Sequence, residues 1–275
     1  MNGINREKIP GVYPRSINAE VLRIEKDSPL YPPLLREIYD PPAVLYCRGR
    51  LPDPEKPAIA LVGTRHPSAA ASMQALALGR EFARCGITVI SGLALGIDAL
   101  SHRGCLEAGG ITAAVLGSSV DQVFPASNRD LARRILLTGG SLISEYDPGT
   151  TPRKSYYPQR NRIISGLARA TVIVEAPVKS GALHTARFAL EQGRDLFVAA
   201  AGIASPLGEG TRRLAKDGCP VISRAAEVLI EWGIDPAKLT NWNEQNRRNG
   251  GSVIPCESSG SSLASSLKEE LGLEA

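Results

Sequence analysis

The sequence predicts an α/β fold: a doubly wound, mostly parallel sheet in an extended Rossmann-like domain. Two observations lead to this prediction. Short continuous apolar runs recur along the chain, which suits strands buried on both faces. Most of these runs are followed by a helical pattern that ends near a glycine, and such βαβ units place their strands parallel. Seven strands are expected, at residues 58–62, 87–91, 111–116, 141–145, 170–176, 195–201 and 219–223.

The helices between these strands are predicted from apolar spacing and from their stop signals. After the first strand, Ala71, Ala75, Leu78 and Phe82 share one helical face, and the pattern stops at Gly86. A glycine-bearing loop is expected directly after the sixth strand. Further helices are expected near residues 98–108, 128–137, 182–192, 210–217 and 225–232.

The two ends of the chain differ from this pattern. Residues 1–57 are rich in proline and are expected to form an N-terminal extension packed on the core, with a helical turn at Leu34–Tyr39 and a short strand at Val44–Cys47. Residues 58–233 form the Rossmann-like domain. Residues 234–275 are rich in Asn, Ser and Gly, and we expect a flexible tail.

Composition narrows the class of protein. The formal net charge is only +4, so nucleic-acid binding is permitted but depends on local clustering of cations. No apolar run approaches the roughly 20 residues that span a bilayer, and the first residues lack a signal-peptide pattern. The five cysteines lack a CxxC pair and are expected to be reduced thiols of a cytoplasmic protein: Cys47, Cys85, Cys105, Cys219 and Cys256.

A basic and aromatic stretch follows the fourth predicted strand. From Pro148 to Val174 there is no acidic residue, whereas five basic residues and two adjacent tyrosines are present. Cations beside aromatic rings suit a phosphate backbone with unstacked bases. The alternative is a solvated loop and helix start with surface arginines.

Other loops after predicted strands offer further phosphate contacts, because ligands of open α/β sheets bind beyond the carboxyl ends of the strands. These loops are GTR (63–65), SGLALGID (91–98) and SGALHTA (180–186). The second lacks the GxGxxG spacing of a dinucleotide site, so no such cofactor is expected. In the third, Ser180 either caps a helix or meets a phosphate.

Catalytic and metal-binding patterns are missing from the sequence. The three histidines do not form HExxH or a similar spacing, and neither a G-x-S-x-G elbow nor a P-loop is present. Asp98, Glu145 and Glu175 lie near strand ends, where they suit acid–base chemistry, helix capping or pairing with arginines. This balance favours a binding protein over an enzyme, without cofactor or metal.

Taken together, the motifs resemble the DprA/Smf family of DNA-processing proteins. The resemblance covers about residues 30–232 and is specific because several motifs follow one another in order. These motifs are ALVGTR (60–65), VISGLALGIDALSH (89–102), SEYDPGTTP (144–152), YPQRNRIISGLA (157–168) and VIVEAPVKSGALHTA (172–186).

The resemblance implies a single-stranded-DNA-binding recombination mediator that forms a homodimer and loads RecA during natural transformation. It also implies a site. Arg65 and Lys154 would line a positive pocket for the DNA backbone, and Tyr157, in place of the family's usual Phe, would stack on a base. Amides and hydroxyls for successive phosphates would come from Ser91, Gly92, Ser180 and Gly181. The R-N-R segment of Arg160, Asn161 and Arg162 would support this groove by DNA contacts or by internal ion pairs.

Two other functions remain open. One is a Rossmann-like enzyme that hydrolyses nucleoside monophosphates at the N-glycosidic bond, although its P-G-G-x-G-T-x-x-E motif is absent and Gly208–Thr211 is the nearest match. The other is a nucleotide-sensing module, because the same phosphate loops suit a small ligand.

Overall fold

The computed structural model describes residues 20–235. Within this part the backbone forms one sheet in the order β1-β2-β6-β5-β4-β3-β7-β8-β9. The strands are β1 Leu22–Glu25, β2 Val44–Gly49, β3 Ala58–Val62, β4 Thr88–Ser91, β5 Thr112–Val115, β6 Ser141–Ser144, β7 Ala170–Ile173, β8 Asp195–Ala199 and β9 Val221–Ile222. The seven predicted strands are β3 to β9, and the predicted fold class is confirmed.

Strands β3 to β9 are parallel, whereas β1 and β2 extend the sheet in antiparallel fashion. Every residue of β3 is buried, as its unbroken apolar run predicts. Strand β1 was not predicted from the sequence. Its four residues LRIE bury only Ile24, because an edge strand of this length has too few inward positions to produce a pattern.

Helices cover both faces of the sheet. They are α1 Pro33–Arg36, α2 Ala69–Arg84, α3 Ile97–Glu107, α4 Arg129–Leu137, α5 Tyr156–Gly166, α6 Gly181–Glu191, α7 Ala200–Ala204, α8 Glu209–Lys216 and α9 Ala225–Glu231. Core residues of α2, α3, α4 and α9 pack on one face, and those of α1, α5, α6 and α8 pack on the other. The sheet is therefore doubly wound, as predicted.

Helices α2 and α3 cross at two glycines. A Cβ at Gly79 would lie 2.4 Å from the Ser101 carbonyl oxygen, and one at Gly104 would lie 2.1 Å from the Leu76 carbonyl oxygen. Any side chain larger than hydrogen would force the two backbones apart. This close crossing fixes α3, whose first turn lies at the carboxyl edge of the sheet.

Two local predictions differ from the structure. The strand expected at 195–201 ends at Ala199, and α7 replaces the loop expected after it. Gly202 lets α7 pack closely on the end of β7, since a Cβ at Gly202 would lie only 2.0 Å from the Val174 carbonyl oxygen. Much of the basic stretch is helix α5, which buries Ile163 and Ile164 in the core.

The ends of the chain fall only partly within the described residues. Residues 20–57 contribute β1, α1 and β2, so this segment is hydrogen-bonded into the sheet. The expected tail at 234–275 lies almost entirely outside the described part, and the division of the chain at residues 57 and 233 stays a prediction. No helix between residues 20 and 235 is long and apolar enough to cross a membrane.

Candidate nucleic-acid interface

The strand order creates a crevice at one point of the carboxyl edge. From β3 the chain builds β4, β5 and β6 on one side, and then returns to place β7, β8 and β9 on the other. The crevice beyond β3 and β7 is therefore the topological switch point, where ligands of open α/β sheets bind. The loop with Arg65 and the loop with Ser180 flank this crevice.

The loop that follows β3 is held by backbone contacts to both neighbours. The Thr64 amide donates to the Glu175 carbonyl at 2.8 Å, and the Ile97 amide donates to the Thr64 carbonyl at 3.2 Å. Gly96 has φ +74°, and a Cβ there would lie 2.5 Å from the Thr64 carbonyl oxygen. This packing fixes the backbone, while the Arg65 residue is exposed to solvent.

The Glu175 carboxylate, which follows β7, has its partners at the start of α2. It is fully buried, and it accepts hydrogen bonds from the Ser68 amide at 2.7 Å and the Ser68 hydroxyl at 2.9 Å. Ser68 is also the N-cap of α2 and accepts from the Ala71 amide. The negative charge of Glu175 is thus placed at a helix N-terminus, where the helix dipole stabilises it.

Ser91 and Gly92, at the end of β4, have internal partners. The buried Ser91 hydroxyl donates to the Leu61 carbonyl at 2.6 Å, and the Gly92 amide donates to Asp98 Oδ2 at 3.1 Å. Asp98 also accepts from the Ala94 amide at 3.4 Å. In this arrangement the two predicted phosphate donors instead shape the loop from residue 92 to residue 96.

Arg160 is buried beneath the loops that follow β4 and β5. Its guanidinium donates to the Gly92 carbonyl at 2.6 Å and to the Val115 carbonyl. Burial lowers the pKa of Arg160 and raises the pKa of Asp98, and each charge opposes that shift in the other. The two buried charges attract each other, and through its carbonyl contacts Arg160 holds two strand ends together from inside.

The other two residues of the R-N-R segment also have internal partners. Asn161 Nδ2 donates to the Gly181 carbonyl at 3.2 Å. Arg162 contacts both carboxylate oxygens of Glu145, at 2.8 and 2.7 Å, and Asp40 Oδ2 at 3.1 Å. These bonds connect α5 to α6, to the end of β6 and to the segment before β2.

Two adjacent tyrosines at the start of α5 point in different directions. Tyr157 packs on the backbone at Gly117, beyond the end of β5, where a Cβ would lie 2.7 Å from its ring. Tyr156 stacks on Tyr146, with ring centroids 3.8 Å apart and planes 13° apart. The Arg153 guanidinium lies 6.0 Å from the Tyr156 ring centroid. Lys154, which follows Arg153 in the sequence, is exposed.

Ser180 and Gly181 begin helix α6 on the far side of the crevice. The Ser180 hydroxyl accepts from the Ala182 amide at 3.3 Å and so caps the helix. A Cβ at Gly181 would meet no atom within 4 Å. The first-turn backbone of α6 is therefore open to a ligand at Gly181.

The predicted site residues fall into two groups. Arg65, Lys154 and Gly181 are exposed and Tyr157 is half-buried. The others are bonded within the protein: Ser91, Gly92, Arg160 and Asn161 are buried, and Arg162 and Ser180 are half-buried. Sequence reasoning did not assign the Tyr146–Tyr156 stack or the electrostatic interaction of Asp98 with Arg160. The adjacent tyrosines were a signal for the stack, but Asp98 and Arg160 are 62 positions apart and leave no local pattern.

The one buried histidine of the described residues lies away from this edge, in the middle of α3 beside the first residue of β5. His102 is buried against Thr112 Oγ1 at 2.6 Å, and burial lowers the pKa of His102 to about 3. Between residues 20 and 235 no three metal-ligating side chains cluster. A shallow cavity of about 730 Å³ lies elsewhere, lined by residues such as Arg23, Lys26 and Arg36, away from the convergent loops.

Comparison with known proteins places the chain in a family. The family model described as DNA recombination-mediator protein A matches residues 23–233. The chain belongs to this family. It is 41% identical to protein Smf of Synechocystis sp. over 214 residues, covering 76% of this chain and 54% of that protein. It is 37% identical to DNA processing protein DprA of Bacillus subtilis, covering 82% of this chain and 75% of that protein.

Two solved structures of family members resemble this one. DNA processing protein A from Streptococcus pneumoniae aligns with a TM-score of 0.70 and 33% identity, covering 77% of this chain and 74% of that chain. The Helicobacter pylori protein aligns with a TM-score of 0.65 and 26% identity, covering 83% of this chain and 98% of that chain. That structure is described as giving insight into the protein's unique single-stranded DNA binding mode.

The match does not extend over the whole of every relative. The chain spans little more than half the length of the Synechocystis and Escherichia coli proteins, 54% and 57%. What it shares with these family members is the sheet domain. The predicted membership of the DprA/Smf family is confirmed.

Proposed function

We propose that this chain binds single-stranded DNA at the carboxyl edge of its sheet and acts as a recombination mediator. The observation that carries the proposal is the separation of charge at this edge. The nearby carboxylates of Asp98, Glu145 and Glu175 are turned inward to amides, a hydroxyl or an arginine. Arg65 and Lys154 are exposed. The exposed carboxylates of Asp121 and Asp147, on the loops after β5 and β6, accept hydrogen bonds from the Gly149 amide and the Tyr46 hydroxyl. Exposed cations beside carboxylates that already have partners attract a phosphate backbone.

Tyr157 supplies a ring for base stacking beside these cations. It is half-buried on Gly117, so part of the ring is held in place and part is accessible. Stacking on an immobilised ring tolerates any base, since every base has a π-face. This combination suits a strand whose bases are unpaired better than a duplex, whose bases already stack on one another. The relation to the H. pylori protein, described as binding single-stranded DNA, supports the same conclusion.

The buried members of the predicted site act by positioning the exposed ones. Arg160 holds the ends of β4 and β5, Arg162 holds the end of β6, and Asn161 holds the first turn of α6. Ser91 and Gly92 shape the loop beside Arg65. The open backbone at Gly181, next to the Ser180 cap, offers a further phosphate contact at the switch point.

The wider role follows from family membership and belongs to the same proposal. The protein binds without catalysing a reaction, acts in the cytoplasm, forms a homodimer and loads RecA on the strand it holds. The inward use of Asp98, Glu145 and Glu175 supports a binding rather than a hydrolytic role.

Titration of labelled oligonucleotides tests the binding proposal. We expect tighter binding of a single strand than of a duplex of the same sequence, with affinity that falls as salt rises. Arg65→Ala and Lys154→Ala should each weaken binding about tenfold or more, because each removes a charged hydrogen bond of about 1.5–3 kcal/mol. Each should also lower the salt slope by about 0.7.

Arg187→Ala is the matched control, because Arg187 is exposed on α6 and pairs with Glu191. It should bind the strand as the unmodified protein does. Unchanged affinity in both Arg65→Ala and Lys154→Ala would reject the pocket. Release of free base from a nucleoside monophosphate would support the hydrolase instead.

A further inference from the structure

Helix α4 carries a cluster of exposed cations that the proposed site does not use. Arg129, Arg133 and Arg134 are exposed, whereas Leu131 and Ile135 pack into the core. Within the part of the chain that the structure describes, none of the three arginines forms an ion pair. Asp130 is the single acidic residue of the helix.

Arginines on other helices have acidic neighbours. Arg187 pairs with Glu191 at 3.2 Å, Arg213 pairs with Glu209 at 3.3 Å, and Arg80 pairs with Glu107 on the adjacent helix. On α4, Arg129 and Arg133 are spaced i, i+4 with like charge, an arrangement that destabilises a helix. Asp130 is spaced i, i+4 from Arg134 without forming an ion pair with it, and the helix carries three cations against this one acid. Phosphate groups would relieve this repulsion, so the cluster has the electrostatics of an anion-binding surface.

The start of α4 is attached to the proposed site. The Asn128 side chain donates to the Leu93 carbonyl at 2.9 Å and to the Ala94 carbonyl at 3.2 Å. Two large apolar side chains are exposed on the segments joined in this way, Leu95 at 42% and Phe124 at 41%. An accessible aromatic ring on the segment that leads into a group of unpaired cations is a combination that single-stranded nucleic acid uses.

We infer that α4 forms a second binding segment for the same DNA strand. The strand leaves the pocket at Arg65 and Tyr157, passes the loop at Leu95, and places phosphates on Arg129, Arg133 and Arg134, with a base on Phe124. A duplex fits this surface less well, because its bases are not free to stack on Phe124. The inference rests on the proposed function. It extends the bound part of the strand from the pocket to α4.

The test compares strand lengths in a charge-matched pair of variants. A single strand of about 6 nucleotides fills only the pocket, and one of about 20 nucleotides also reaches α4. The variant R129Q/R133Q/R134Q should bind the longer strand about tenfold more weakly or worse and the shorter strand normally. Its salt slope on the longer strand should fall by about 2, since each phosphate contact on a single strand contributes about 0.7. Phe124→Ala should weaken only the longer strand, by about fivefold or more.

The matched control R187Q/R213Q/R224Q removes the same charge from α6, from α8 and from the residue before α9. If the α4 variant and this control bind the longer strand with equal affinity and equal salt slope, the α4 surface is rejected. An equal loss on duplex DNA or on RNA would reject selectivity for a DNA single strand. Should the triple variant fail to fold, Arg133→Gln alone must still lower the salt slope by about 0.7.

The measurements distinguish rejection of the α4 segment from rejection of the proposed function. If the short strand binds and loses affinity in Arg65→Ala while the long strand gains nothing from α4, only the second segment is rejected. If neither strand binds the unmodified protein, the proposed function and this inference are both rejected.

Discussion

A single buried arginine connects the loops of the candidate site. Arg160 is 4% exposed, and it bonds the carbonyls of Gly92 and Val115 while it balances the charge of Asp98. The motif that contains it suggests a DNA contact, because arginine next to arginine is the common form of a phosphate-binding surface. Its burial makes it a positioning residue, and its removal should affect folding as well as binding.

Arg160→Met should destabilise the protein by about 3–5 kcal/mol, because it leaves the carbonyls of Gly92 and Val115 without their donor and removes the cation that offsets the burial of Asp98. Urea unfolding measures the change. Arg187→Met, at an exposed position, should change the free energy of unfolding by less than about 0.5 kcal/mol. A loss within that same range for Arg160→Met would show that Asp98 does not depend on Arg160.

His102 should make stability depend on pH. Its pKa is about 3 in the folded protein because the ring is buried, against an ordinary value of 6.5. The unfolded chain therefore binds a proton that the folded one does not, and stability falls as pH drops below about 6.5. The contribution at pH 5 is about 2 kcal/mol. Burial raises the pKa of Asp98, which has the opposite effect in acid.

Comparison with His102→Asn separates the two groups, since Asn keeps a donor for Thr112 without titrating. Urea unfolding at pH 7 and pH 5 should show a smaller loss of stability on acidification in the variant. Equal losses in the two proteins would exclude His102 as the source.

At the scale of elements, the start of α5 is organised by the stack of Tyr146 and Tyr156. Tyr146 follows β6, and Tyr156 is the first residue of α5, so the stack closes the loop that carries Lys154. The Tyr156 amide also donates to the Arg153 carbonyl at 3.0 Å within that loop. The loop therefore presents Lys154 from a braced backbone.

Tyr156→Ala should weaken single-strand binding, whereas Tyr156→Phe, which keeps the stack, should not. If the stack acts through Lys154, the effects of Tyr156→Ala and Lys154→Ala are not additive, with a coupling energy of about 0.5–3 kcal/mol. A double-mutant cycle measures this coupling. Tyr39→Ala, at a fully exposed tyrosine, is the control. Additive effects would mean that Tyr156 contacts DNA on its own.

The strands and helices differ in how far they could be predicted from the sequence. Strands β3 to β9 were predictable because continuous apolar runs reflect burial on both faces. Helix α5 was not assigned, because its buried residues include Arg160 and Asn161, which a periodicity argument assigns to solvent. The loops of the candidate site were predictable from parallel strands, but the inward bonds of Ser91 and Arg160 depend on Leu61 and Val115, which are distant in sequence.

At the scale of the whole molecule, the antiparallel strands β1 and β2 place β6 inside the sheet instead of at its edge. Strand β6 lies between β5 and β2, so the loop with Lys154 leaves from the interior of the sheet rather than from its edge. Arg162 adds a contact from α5 to Asp40, in the segment before β2. The N-terminal residues of the described part thus support the candidate site.

The bond from Asn128 to the loop after β4 has a consequence for how a strand would be held. Leu93, whose carbonyl accepts this bond, is a buried non-glycine residue with φ +55°, an uncommon conformation that the surrounding contacts maintain. The pocket at Arg65 and the arginines of α4 therefore keep a constant separation. A strand bound at the pocket presents its next phosphates to the arginines of α4 at high local concentration. Each of the two contacts can then be weak and exchange rapidly while the strand as a whole stays bound.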